Sequence, residues 1–162
     1  MTATVHVRNC QRSAPVQAKY VGSLARAVLD QVAPERSGSL GIYLVAKSEI
    51  LRLNETFLRH AGPTDVIAFD YLERAPGRIA RERLHAEIFI CVEEARSQAR
   101  RYGVSWPEEV VRCLIHGMLH LMGHDDARPD KRRKMKRVEN RLLKEIGKRL
   151  PWRRTELRPL PR

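Results

Sequence analysis

The 162-residue chain is expected to be a single α+β domain: a mixed sheet of about four strands packed with about five helices, one of them buried and central. Three observations carry that expectation. Strand-like apolar runs and longer stretches with helical apolar spacing follow one another in the order β-α-β-α-β-β-α-α-α. A composition of 43% hydrophobic and 31% charged residues is that of an ordinary folded domain. No apolar run approaches the ~18 residues of a membrane span, and the N-terminus lacks the apolar core of a signal peptide.

The elements are expected as follows. Thr4 to Val7 alternates as a short edge strand would. Pro15 to Val32 has helical spacing (Val16, Tyr20, Leu24, Val28) and stops before Pro34. Ser39 to Ala46 is a strand-like run. Ser48 is positioned to cap a helix carrying Ile50, Leu53 and Phe57, ending near Gly62-Pro63. Thr64 to Tyr71 and Leu84 to Val92 read as strands joined by a basic Pro/Gly loop. Glu93 to Tyr102 is a polar helix closed by Gly103. Pro107 suits the first turn of the next helix, with Glu108 and Glu109 near its positive dipole end; this helix runs to Gly123. Pro129 to Leu150 forms a last amphipathic helix with Met135, Val138, Leu142 and Ile146 on one stripe. The domain is thus expected over residues 1–150, followed by a basic Pro/Arg-rich tail, 151–162, in which Trp152 is read as a hydrophobic anchor.

Charge is unevenly spread along this plan. The chain carries +12 in total, yet from Ala127 onward 15 Lys or Arg face 4 acids, leaving the first 126 residues nearly neutral. A basic segment of this kind points to a polyanionic partner and away from a neutral-surface metabolic enzyme. Cys10, Cys91 and Cys113 are odd in number and show no CxxC spacing. They are expected to be buried reduced thiols in a cytoplasmic protein.

The chemistry concentrates between His116 and Asp126. His116 and His120 stand four apart on a helix, so both imidazoles leave one face about a turn apart, as two nitrogens converging on one Zn²⁺ require. Val110, Val111, Leu114, Ile115, Met118, Leu119, Leu121 and Met122 make that helix apolar nearly all round. Arg112, His116 and His120 form its polar row, and buried imidazoles without a task are costly. Gly123 permits a sharp turn that can fold the next side chains back, so His124 or Asp126 can complete a metal site at the end of the helix.

HGMLHLMGHDD resembles two signatures. Against the metzincin pattern HExxHxxGxxH, Gly117 replaces the Glu that would serve as general base and Asp126 replaces the third His, which argues against peptide hydrolysis. The stretch looks more like the YbeY family of bacterial metallo-endoribonucleases, with HGxLHLxGYDH; His124 stands at the Tyr position and Asp126 at the last His. A second match, Leu53 to Phe69, resembles the family's LNxxYRxxDxPTDVLSF, and a third, weaker one is AEIFICVEEA from Ala86 to Ala95. The resemblance implies one Zn²⁺ per chain held by His116, His120 and Asp126. It also implies a single-strand-specific endoribonuclease acting in 16S rRNA 3′-end maturation and ribosome quality control, with ribosomal RNA and the ribosome as partners; no membrane partner is expected, and no DNA specificity is inferred. The family's Arg after the aromatic residue is Leu58 here; Arg59, one step on, is a candidate substrate contact. Asp65 and His124 are candidates for proton transfer. The competing expectations are a non-catalytic RNA- or ribosome-binding module with a structural zinc, and a metzincin-related protease.

Overall fold

A computed structural model describes residues 2–58 and 64–152. Four strands, β1 (Thr4–Asn9), β2 (Ser37–Val45), β3 (Val66–Asp70) and β4 (Arg83–Cys91), form one sheet in the order β1-β2-β4-β3. β1 and β4 both run parallel to β2, whereas β3 pairs antiparallel with β4, so the sheet is mixed as expected. Six helices accompany it: α1 (Ala18–Val32), α2 (Lys47–Leu53), α3 (Gly77–Glu82), α4 (Val92–Tyr102), α5 (Trp106–Leu121) and α6 (Pro129–Arg149).

Alternation within the strands divides the sheet into two faces. Leu40, Ile42 and Leu44 of β2 and Leu84, Ala86, Ile88 and Ile90 of β4 are buried in the main core with α1, α5 and α6. The opposite face holds a smaller cluster, in which Ile50 and Leu53 of α2 pack on Val45, Ile67 and Cys91. Tyr43 and Phe89 stack there with ring centroids 4.9 Å apart.

α5 runs through the middle of this arrangement. Ser105 caps it, its hydroxyl accepting from the Glu108 amide at 3.3 Å, and Pro107 occupies the first turn. The helix lies close to the sheet because residue 117 is glycine: a Cβ there would meet Ile88 Cγ2 at 3.0 Å and Val66 Cγ2 at 3.3 Å. Gly117 is buried, so the position where the protease motif has its base faces the core.

Several local expectations give way. The basic Pro/Gly loop contains α3, which Pro76 precedes and an Arg78–Glu82 ion pair at 3.0 Å spans. Ser48 lies inside α2 rather than capping it; Ala46 precedes the helix, which makes no side-chain cap hydrogen bond. Beyond Leu53 the helix widens into a π-helical turn, Asn54–Leu58, and the end expected near Gly62-Pro63 lies outside the described residues. Cys91 and Cys113 are buried free thiols, but Cys10, which directly follows edge strand β1, is exposed. Trp152 packs against the main core, and the Tyr20 hydroxyl donates to the Pro151 carbonyl. Among the described residues no helix is long and apolar enough to cross a membrane.

Candidate metal centre

His116 and His120 project from the last two turns of α5, and the turn that ends the helix brings Asp126 to them. Gly123 adopts φ +88°, and an added Cβ would meet nothing within 4 Å, so glycine is favoured there by backbone conformation alone. The His124 amide reaches back to the Leu119 carbonyl at 3.0 Å, which closes the helix with the wide bond of a Schellman turn. Asp125 then caps its own turn, accepting from the Ala127 amide at 3.0 Å. Chain reversal places the Asp126 carboxylate 3.4 Å from His116 Nε2 and 3.7 Å from His120 Nε2. The two Nε2 atoms are 3.1 Å apart.

The other ring nitrogens decide what these atoms present. His116 Nδ1 lies 3.0 Å from Glu139 Oε2, and His120 Nδ1 lies 3.1 Å from the His124 carbonyl oxygen. A carbonyl oxygen and an ionised carboxylate can only accept, so each Nδ1 carries a proton and donates it. In the neutral rings both Nε2 atoms are then bare lone pairs aimed at one another beside a carboxylate. Such an arrangement calls for a cation, either a proton or a metal ion. A tetrahedral ion with bonds of ~2.0–2.1 Å separates its nitrogen ligands by about 3.3 Å. The observed 3.1–3.7 Å separations fit that requirement without rebuilding. Among the described residues, only these three side chains make up this ligand group.

Glu139 is the support that sequence reasoning missed. It is buried on α6, and it also accepts from Arg112 at 2.8 Å and Lys136 at 3.0 Å. Burial pushes its carboxyl up, but hydrogen bonds from His116 and Arg112 and the Lys136 charge outweigh that and hold it at about 2. For His116, burial disfavours the charged ring; the Glu139 hydrogen bond, with the Glu139 and Asp126 charges, prevails and raises its pKa. The missed signal was positional. Glu139 lies four residues after Met135 and three before Leu142, on the apolar stripe of α6, where a charge needs partners.

The remaining candidates separate. His124 contributes its carbonyl to the centre, not its ring. Its imidazole pKa is lowered, first by burial and then by the Lys134 and His120 charges. Asp65 sits across the cleft, its Oδ2 accepting from the Cys113 thiol at 3.6 Å. Arg59 lies outside the described residues, while Leu58, in the place of the expected Arg, is 41% exposed. A cleft of about 760 Å³ beside α5 and α6 is lined by Asp65, Glu109 and Cys113. His116 and Asp126 line it too, beside Arg132, Arg133 and Lys136 of α6. Arg112 also lines the cleft, but its hydrogen bonds go to Glu139 and Asn140.

Comparison with known proteins sets this geometry in context. Residues 6–147 match the family model described as endoribonuclease YbeY. A protein of that name from Thermobifida fusca is 34% identical over 132 residues, covering 80% of this chain and 85% of the relative. One from Beutenbergia cavernae is 37% identical over 124 residues, 75% of this chain and 83% of the relative. A solution structure from Thermotoga maritima superposes with a TM-score of 0.59 at 22% identity, covering 90% of each chain, and shows the same fold.

Proposed function

This chain belongs to the endoribonuclease YbeY family, and on that premise we propose that it is a zinc-dependent, single-strand-specific endoribonuclease of 16S rRNA 3′-end maturation and ribosome quality control. Ribosomal RNA on the ribosome is its substrate, the cytoplasm its compartment, residues 1–150 its catalytic domain and 151–162 a basic tail. The observation that carries the metal assignment is the pair of Nε2 lone pairs facing each other beside Asp126, with both Nδ1 protons committed elsewhere. Two imidazoles and one carboxylate form a zinc donor set of the catalytic type, because three protein ligands leave a position for substrate.

Zinc bound by His116, His120 and Asp126 supplies Lewis acidity toward a phosphoryl oxygen. The chain's own residues do the rest. Glu139 and the His124 carbonyl hold the two rings in the metal-binding tautomer. Arg132, Arg133 and Lys136 line the cleft beside His116 and Asp126, where they attract phosphates without reading bases. Arg59 serves as a further substrate contact in this reading. The His124 ring, kept neutral by its surroundings, and the Asp65 carboxylate are the groups proposed to carry protons.

The protease alternative is disfavoured by Gly117, which has no room for a glutamate side chain. The structural-zinc alternative is disfavoured because His124 offers its carbonyl, not its ring, to the centre. The test is incubation of the purified protein with single-stranded rRNA fragments and with casein, with and without chelator, beside Asp126→Ala and His124→Ala. We expect chelator-sensitive RNA cleavage, lost in Asp126→Ala and retaining metal in His124→Ala, with casein intact. Intact RNA in every lane with zinc still bound overturns the nuclease assignment.

A further inference from the structure

The polar row of α5 does not end at His116. Glu109, Cys113, His116 and His120 follow one another at spacings of four, three and four residues, so all four leave one face of the helix. The N-terminal half of the row meets Asp65 across the cleft. A carboxylate oxygen of Asp65, one of Glu109 and the Cys113 sulfur all lie within 4.8 Å of one another.

What sets this cluster apart is its lack of satisfaction. Glu109 is only 5% exposed, yet its carboxylate accepts no hydrogen bond from any described residue. Its one ion-pair partner among the described residues, Arg112 Nε, stands 3.8 Å away, too long for a hydrogen bond, while Arg112 Nη1 donates to Glu139 and Asn140. Buried carboxylates without hydrogen bonds are costly, and a second carboxylate alongside adds repulsion. Cys113 is 2% exposed, and among the described residues its thiol has only the long Asp65 contact. Burial and the neighbouring acids push both the Glu109 carboxyl and the Cys113 thiol up. Each of these groups gains from a cation at their common point.

We propose that Asp65, Glu109 and Cys113 form a second metal site, taking a borderline-soft divalent transition ion such as Zn²⁺ or Co²⁺; with that ion bound Asp65 is a ligand, and proton transfer falls to His124 alone. The thiolate selects against Mg²⁺ and Ca²⁺, which prefer oxygen-only shells. Binding releases the Cys113 proton to solvent and leaves the sulfur as a thiolate ligand. The site lies about seven residues of rise, roughly 10 Å, from the histidine centre along α5. That is too far for a bridged pair of ions, so neither site needs the other's ion in order to form. A cation here also neutralises the acidic wall of a cleft whose other wall is basic.

The test is a Co²⁺ titration of the full-length protein after chelation and gel filtration, read by metal analysis and by the thiolate-to-cobalt charge-transfer absorption. Wild type is expected to bind two equivalents and show the band. Cys113→Ser should bind one equivalent and lose the band; His116→Ala should lose the other equivalent and keep it. Glu109→Gln, which leaves the thiol in place, should weaken the second equivalent about tenfold or more, and it decides the matter if Cys113→Ser does not fold. A wild type that binds one equivalent without the band overturns the proposal, as does a second equivalent bound at wild-type affinity by Cys113→Ser or by Glu109→Gln.

Discussion

At the C-terminal end of α5, His116 and His120 each place an Nδ1 proton on an acceptor, and Glu139 collects three donors. At the N-terminal end, the buried Glu109 collects no hydrogen-bond donor among the described residues. Both acids line the same cleft. The difference lies in what α6 and the Gly123 turn deliver: the Glu139 carboxylate, the Lys136 ammonium and a carbonyl to one end, while Glu109 at the other meets only Arg112 of its own helix, 3.8 Å away among the described residues. Similar residue types on one helix face thus make a preorganised centre where second elements converge, and an uncompensated cluster where they do not.

Substitutions at the two acids break that contrast most directly. Glu139→Ala is expected to cost about 3–5 kcal/mol, since it leaves Arg112, Lys136 and the His116 proton without their buried partner; chemical denaturation with chelator present measures it. Glu139→Gln keeps the shape but removes the charge, and should weaken metal binding at the histidine centre by about 10–100-fold, read by competition with a chromophoric chelator. Glu109→Gln should leave that constant unchanged.

Acid titration of the metal-free protein sharpens the contrast by sign. The Glu139 carboxyl is depressed to about 2 in the fold. Its stabilisation is therefore complete above the ordinary carboxylate range and is lost as pH falls toward 2. The Glu109 carboxyl is raised, so its stabilisation is complete below that range and is lost as pH rises through its folded value. Thermal melts should show Glu139→Gln flattening the acid limb and Glu109→Gln flattening the opposite one.

Smaller effects complete the series. Gly123→Ala should cost about 1 kcal/mol of stability, because alanine disfavours the positive φ, and should loosen metal binding through the His124 carbonyl. Glu109→Leu in metal-free protein should change stability by less than about 1 kcal/mol in either direction, since it exchanges an unsatisfied acid for an apolar side chain of similar size. A loss as large as that of Glu139→Ala would show that Glu109 is satisfied after all.

Most of the fold was legible because its signals are periodic. The four strands, the span of α5 and the closing glycines at 103 and 123 follow from local pattern and backbone chemistry. The histidine row was legible for the same reason, since i, i+4 spacing puts two rings on one face. What escaped depended on neighbours distant in sequence. α3 hides in a stretch without apolar period, held in part by one ion pair. Glu139 looked like one charge among many on a basic helix until α5 packed against it, 23 residues away in sequence. Glu109 read as a helix-start acid facing the dipole, whereas tertiary packing turned it into a cleft wall with its charge disfavoured. Cys113 read as an inert core thiol because Asp65, 48 residues upstream, was needed to give it company.

The contact between His116 and Glu139 also joins two helices with different duties: α5 presents the ligands and α6 carries much of the basic charge. Thermodynamic reciprocity then applies to the pair. Whatever factor a bound ion adds to the docking of α6, the docked helix adds to the affinity for the ion. A substitution that loosens the packing of α6 on α5 would therefore lower metal occupancy, and one that tightens it would raise it.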